Sequence, residues 1–331
     1  MIQLDNRLGG QPQYIYTREY KPLMQVPNEV RDCVAFLMYE TFDGKKERMA
    51  GTVFFVHTGD PIGGSFGGGA VYAITARHVI DQIKKYSSDG MVRIRLNNDS
   101  EETDTIKVNC DDWLFHPYDE TVDVAVLRWN FLDPNMHKEI RVYPIAVSAT
   151  QEVMEKNGIG IGDETCSVGL FHLHAGTKRN IPILRIGNIA AMPEEKVHSG
   201  WKGGTDIEAL LIESRSIGGL SGSPVFVHLY DTRYVGQHPD DPTDPRHNEL
   251  ARVIRGSFYL IGLMHGHWDA SDLSEVDGVD IDTVGGGRVN VGIGIVVPVN
   301  KIIEVIRRDD LRAEREKASE REKQARAATI D

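Results

Sequence analysis

Ten short apolar runs with period-two alternation, punctuated by Gly, Asp and Asn, set what this chain can fold into. They are Thr52–Val56, Val71–Thr75, Met91–Leu96, Val122–Trp129, Thr165–Leu170, Ile183–Ala191, Ala209–Glu213, Pro224–Leu229, Ser257–Met264 and Val289–Val297. Successive strand side chains point to opposite faces, so such runs read as strands. With so few helical stretches between them, a parallel βαβ sheet does not fit, and antiparallel barrels or a sandwich do. The chain is expected to be mainly β.

Composition narrows the partners. The chain has 331 residues, with 37 Lys+Arg against 49 Asp+Glu and a formal charge of −12. At that length it buries a sizeable core in two folded units or one large one. The acidic balance argues against a sequence-indifferent nucleic-acid binder and against docking on anionic lipid. The longest apolar runs, such as Val289–Pro298, fall far short of the roughly 20 residues of a membrane helix. The opening MIQLDNRLGGQPQYIYTREYKP holds no apolar signal region. Cys33, Cys110 and Cys166 are too few and too scattered for a disulfide framework or a zinc ribbon. They read as buried thiols in a reducing compartment, and the expected location is the cytoplasm.

Three segments read as surface loops: glycine-rich Pro61–Gly69, the Pro/Asp spacer His238–Pro245, and Asp269–Asp282 with six acids in fourteen residues. The acidic loop lacks the ligand spacing and central Gly of an EF-hand. From Lys301 the pattern turns helical. Ile302, Ile303, Val305, Ile306 and Leu311 form an apolar side, and the tail RAEREKASEREKQARAA follows. Its first turns are expected to pack on the body. The remainder reads as a solvated helix or as a helix that docks a partner.

Three further segments each present a residue type able to do chemistry. Ala73–His78 runs from a buried strand through small residues and delivers His78 at its end. In Thr121–Leu127, Asp123 is embedded in apolar sequence. A buried bare carboxylate is costly, so it must either cap a turn or meet a partner such as a histidine. In Gly218–Pro224, glycines on both sides of Ser221 permit a tight backbone that exposes its hydroxyl. They also let the amides of Gly219 and Ser221 point at one spot, as a two-donor oxyanion hole requires. Each segment alone also has a plain structural reading.

Other hydrolase and metal patterns fit less well. An α/β-hydrolase elbow would read G-x-S-x-G, but Ser223 stands at the fifth position, and that fold's Ser–acid–His order is reversed here. His172/His174 and His265/His267 each place two imidazoles on one strand face, without an evident third ligand. No metal or cofactor is expected.

Taken together, the order His78, Asp123, Ser221 on a mainly β chain resembles the chymotrypsin-fold (trypsin-like) serine peptidases. The resemblance is carried by TARH around His78, VDVAVL around Asp123 and GLSGSPVF around Ser221. Gly160–Glu164 through Gly169, with Arg185–Ile189, looks like the opening strands of the second barrel in HtrA-like and glutamyl-endopeptidase-like bacterial members. Gly292–Asn300 looks like the closing strand of HtrA-type domains. The match spans roughly residues 50–306.

The resemblance implies two six-stranded antiparallel Greek-key β-barrels with a C-terminal helix. Its boundaries are an N-terminal extension 1–29, a first barrel 30–146, a second barrel 147–300 and a charged helix 301–331. It implies a serine endopeptidase acting on protein or peptide substrates through an acyl-enzyme. In it Ser221 is nucleophile, His78 base, Asp123 the orienting acid, and the Gly219 and Ser221 amides the oxyanion hole. Leu220 stands where trypsins carry the acid that pairs with a new N-terminus, so that mode of activation is not expected. Arg215 stands where trypsins carry the pocket-floor acid. With Ser216, His265 and His267, it suggests a pocket for an acidic or Gln P1 side chain; the alternatives are that Arg215 is a solvent-facing loop cation and that His265, one residue later than in glutamyl-peptidase and 3C-like patterns, faces away from the pocket. Only 31 residues follow Asn300, too few for a PDZ domain. The rival readings are a latent enzyme awaiting a trigger and a catalytically silent scaffold.

Overall fold

The computed structural model describes residues 26–42, 46–59, 69–130, 137, 140–199, 204–214, 219–229, 232–234, 250–252, 257–269 and 290–328. In chain order the first half supplies β1 (Val34–Glu40), β2 (Glu47–His57), β3 (Val71–Thr75), β4 (Met91–Asn97), β5 (Thr103–Asn109), β6 (Leu114–Phe115), β7 (Ala125–Trp129) and β8 (Tyr143–Pro144). The second half supplies β9 (Glu164–Gly169), β10 (Ile183–Ala191), β11 (Val197–Ser199), β12 (Thr205–Ile207), β13 (Leu210–Glu213), β14 (Pro224–Leu229), β15 (Thr232–Tyr234), β16 (Leu250–Arg252), β17 (Ser257–Asp269) and β18 (Asn290–Pro298). The fold is mainly β, as the alternation predicts.

The second half is a closed barrel in the order β10-β13-β18-β17-β14-β9, with β11-β12 and β15-β16 as separate hairpins. The first half is a sheet in the order β5-β4-β1-β2-β3-β7-β6, with β8 parallel to β2. Its ladder does not close, which differs from the expected second copy of a six-stranded barrel. The reason is local. After β5 the chain enters a 3-10 turn, Cys110–Asp112, where the Asn109 side chain accepts from the Asp111 amide and the Asp112 carboxylate accepts from the Asn109 amide. That cap bends one strand into two arms, β5 pairing with β4 and β6 with β7. Counted as one bent strand, they give the first half the same 1-2-3-6-5-4 Greek-key ring as the second, closed by the covalent chain.

Several expected strands change extent for physical reasons. The run Val122–Trp129 joins the ladder only at Ala125, leaving Asp123 outside it. β17 runs on to Asp269, past the expected end at Met264, with irregular register against β18 between Met264 and Gly266. Among the described strands, eight escaped the alternation test; six of them are only two or three residues long, and the two longer ones are β1, buried along nearly its whole length, and β5, which is polar. Of the three expected surface loops, His238–Pro245 lies outside the described residues, as do Pro61–Gly69 and Asp269–Asp282 except for Gly69 and Asp269.

The large core belongs to the first half and is completed from the far end of the chain. The helix Val299–Ile306 buries Val299, Ile302, Ile303, Val305 and Ile306 in it, each worth about 1.5–3 kcal/mol of transfer free energy. The helix Asp309–Ala328 then lies along the same half. Leu311 is buried, and buried Arg315 donates from Nη1 to the Tyr72 hydroxyl (2.6 Å) and the Ile306 carbonyl (2.9 Å). Glu314 pairs with Arg128 at 2.7 Å. The first turns therefore pack as the sequence predicts, with a buried arginine in place of a purely apolar seam.

Candidate active site

β3 ends at Thr75, and the chain turns through Ala76 directly into the helix Arg77–Tyr86, which starts two residues earlier than the expected Val79–Tyr86. Ala76 offers no side-chain cap, so the first helical amides need acceptors from elsewhere. Asp123 supplies one. Its Oδ1 accepts the His78 backbone N–H at 2.8 Å, and its Oδ2 contacts His78 Nδ1 at 2.7 Å. One carboxylate thus caps the helix, complements its dipole and orients the imidazole. Asp123 is fully buried, while the His78 side chain is 22% exposed.

The electrostatics follow from that geometry. Burial raises the Asp123 carboxyl, but the charges of His78 and His265 and their hydrogen bonds outweigh it and hold the group well below the ordinary carboxylate range. Burial lowers the His78 imidazole. The charge and hydrogen bond of Asp123, with Asp81 further off, outweigh it and leave His78 above its usual value of 6.5.

Ser221 sits on the turn between Gly219 and Gly222. Both glycines have positive φ, +103° and +82°. A Cβ at Gly219 would lie 2.5 Å from the His172 ring, and one at Gly222 would lie 2.2 Å from Thr75 Oγ1, so no other residue fits. Leu220 is buried in the core of the second barrel. An apolar side chain therefore anchors the turn. Ser221 Oγ donates to the His265 carbonyl at 3.2 Å, and no hydrogen bond joins it to His78. Among the described residues, the Gly219 and Ser221 amides have no hydrogen-bond acceptor.

Thr52 on β2 docks this turn onto the first half, a role that sequence reasoning missed. Its hydroxyl donates to the Gly219 carbonyl (3.0 Å) and accepts from the Leu170 amide (2.8 Å), while its own amide donates to the Ser221 carbonyl (2.9 Å). Thr75 Oγ1 donates to the Thr52 carbonyl at 2.7 Å. Thr52 and Thr75 are fully buried. In sequence they look like two ordinary strand threonines, and only the docking of the halves gives them partners 118 and 167 residues away.

The expected pocket residues are only partly accounted for. Arg215 and Ser216 lie outside the described residues. His265, read from sequence as a pocket wall, instead points Nδ1 at Asp123 Oδ2, 2.5 Å away, because the register of β17 turns it inward at the start of its irregular stretch. His267 is half-buried further along β17, opposite Gly294. His172 and His174 are in a 3-10 turn, not on a strand face, which removes the expected shared-face geometry. The His172 ring abuts Gly219, and burial lowers its pKa.

Potential metal ligands converge at His78, Asp123 and His265, whose ligand atoms lie within 4.8 Å of one another. The separations of 2.5 and 2.7 Å are those of N–H···O hydrogen bonds, shorter than the usual spacing between two ligands of one ion. A small cavity of about 20 Å³ behind Asp123 is lined also by Lys196, Glu208 and Lys301, and Lys301 pairs with Glu208 at 3.2 Å. A larger cavity of about 520 Å³, bordered by Asn28–Asp32, Arg141 and Arg179–Pro182, includes none of the three site residues.

No family model matches the chain, and no curated protein matches it in sequence. Among solved structures, it is similar to the HtrA-type protease AlgW with decapeptide, at 15% identity and a TM-score of 0.43, covering 84% of this chain and 68% of that one. It is also similar to the Rv3671c protease of M. tuberculosis in its active form (13% identity, TM-score 0.41, 86% and 92% covered) and its inactive form (14%, 0.39, 84% and 88%).

Proposed function

We propose that this chain is a serine endopeptidase. The observation that carries the reading is a buried, ionised Asp123 holding the Nδ1 of a partly exposed His78, with Ser221 on a glycine-flanked turn docked against the same strands. His78 Nε2 takes the Ser221 proton as Oγ attacks a scissile carbonyl. Asp123 fixes the imidazole tautomer and stabilises the imidazolium. The Gly219 and Ser221 amides receive the oxyanion, and water then releases the acyl-enzyme. None of these steps calls on a metal or an organic cofactor.

The Ser221 hydroxyl supports a latent resting state as the second reading. Its bond to the His265 carbonyl must be exchanged for one to His78 before attack. Substrate, or a partner of the C-terminal helix, is the trigger in this reading.

The proposal takes its substrate class, an acidic or Gln P1 side chain, from the sequence position of Arg215, six residues before Ser221, where a cation would attract such a side chain. The three buried, unpaired thiols suit an intracellular, reducing compartment. Incubation with a peptide library tests both parts. Cleavage after Glu, Asp or Gln that vanishes in Ser221→Ala is expected. Preference for Arg, Lys or large aromatics would overturn the P1 assignment, and turnover that persists in Ser221→Ala would overturn the mechanism.

A further inference from the structure

The Asp123 carboxylate serves two imidazoles. Oδ2 receives His78 Nδ1 at 2.7 Å and His265 Nδ1 at 2.5 Å, while Oδ1 is taken by the His78 amide. The two rings meet edge to face, with centroids 5.1 Å apart and planes at 72°. Both contacts are attractive only if each Nδ1 carries a hydrogen, because a bare ring nitrogen facing a carboxylate repels it. Each ring therefore leaves Nε2 as its proton-accepting atom. His265 is 8% exposed, and its carbonyl also accepts the Ser221 hydroxyl, so one residue of β17 touches both the acid and the nucleophile.

We infer that His265 is a positioning residue that makes the acid–base centre a His–Asp–His cluster, sharing the proton that a single histidine would otherwise take alone. The inference rests on the serine peptidase reading for its effect on rate, but not for the cluster itself.

At high pH the cluster holds one carboxylate charge and two neutral rings, and His78 Nε2 is free to receive the Ser221 proton. The first proton taken from solvent goes to Nε2 of either ring, both Nδ1–H groups staying on Asp123. Molecules carrying it on His265 keep a neutral His78. A second proton must then enter beside an existing imidazolium about 5 Å away, which like-charge repulsion opposes. The acid limb of kcat/KM is thereby broadened and displaced to lower pH.

Among the described residues, most of the charges around the cluster are themselves paired. Asp81, one turn along the helix from His78, pairs with Arg77 at 3.7 Å. Lys196, Glu208 and Lys301 line the far side of Asp123, and Lys301 is shared between Glu208 and Glu304. Ser221 faces the cluster from the nucleophile turn and is uncharged.

His265→Asn keeps a donor for Oδ2 but cannot titrate. The full chain carrying it should show a single-proton acid limb shifted up by about one pH unit, against a broader, two-step limb in the wild type. A purely structural role would instead scale kcat/KM equally at all pH values. Proton NMR of ¹⁵N-histidine-labelled protein gives a readout that needs neither substrate nor turnover. Two low-field Nδ1–H signals are expected in the wild type, and the Asn variant should lack one. A wild type with one such signal would overturn the cluster, even if the variant failed to fold. Two signals with an unmoved acid limb in a folded, active variant would overturn proton sharing while leaving the peptidase reading intact.

Discussion

The two halves of the molecule share one Greek-key order but hold their functional groups by different means. The first half sets His78 and Asp123 mainly through its own parts, a strand end, a helix start and a carboxylate that caps that helix, with His265 of β17 as the added contact from the second half. The second half presents Ser221 on a turn whose backbone is fastened largely by the first. Thr52 holds the Gly219 carbonyl, the Ser221 carbonyl and the Leu170 amide. Further away, Arg95 on β4 donates to the carbonyls of Gly176 and Thr177, and Asn97 exchanges hydrogen bonds with Asn180. The proposed base is thus held mainly within one core, and the proposed nucleophile depends on the junction. Damage to the junction should reach Ser221 before it reaches the His78–Asp123 pair.

The comparison breaks most severely if the self-contained half is disturbed. Asp123→Asn removes the orienting charge and one acceptor of the helix start, and kcat/KM near neutral pH should fall about 10⁴-fold. The same substitution should alter stability against pH. Asp123 lies below its ordinary 3.8, so its contribution is present above that value and lost as pH falls through the folded value. His78 lies above its ordinary 6.5, so its contribution is complete below 6.5 and lost as pH rises through the folded value. Their joint stabilisation is therefore greatest between about pH 4 and 6.5. Denaturant titrations across pH should show that maximum in the wild type and not in the Asn variant.

Thr52→Val tests the borrowed half. It retains shape but leaves the Gly219 carbonyl and the Leu170 amide unpaired, at about 1–3 kcal/mol of stability. The loss should appear in kcat, by about 10- to 100-fold, with little change in KM, because the turn carries the oxyanion donors. A larger effect on KM than on kcat would contradict the junction's role.

Arg95→Met should have the smallest effect. It removes two donors to the 176–177 backbone, lowering stability by about 1–3 kcal/mol, or a few degrees of Tm. Steady-state kinetics should show kcat falling less than in Thr52→Val.

Ile183–Ala191 was legible because its faces alternate between packed and exposed, and Val71–Thr75 and Pro224–Leu229, buried on both faces, were legible as short runs of branched and aromatic residues bounded by turn residues; the limits of all three match the structure. β1 was missed because VAFLMYE shows no alternation and carries a single β-branched residue among good helix formers. β5 was missed because TDTIKVN has too few apolar positions to register. His78, Asp123 and Ser221 stood out because each is a polar residue in a local context that needs an explanation. Their partners did not. Thr52 and His265 acquire meaning only through contacts 142 to 167 residues away, set by how the halves dock and by the irregular register of β17. Sequence could say that a histidine lay on that strand but not which way it faced.

The most direct test of the central claim is labelling of the full chain with a fluorophosphonate, read by intact mass, in the wild type and in Ser221→Ala. The probe reacts only with a serine whose proton has an acceptor and whose oxyanion has donors. A single adduct on the wild type, absent from the Ala variant, is the predicted result. An adduct that survives in the Ala variant, or a folded wild type that stays unlabelled with peptide substrate present, would contradict the assignment of Ser221 as the nucleophile.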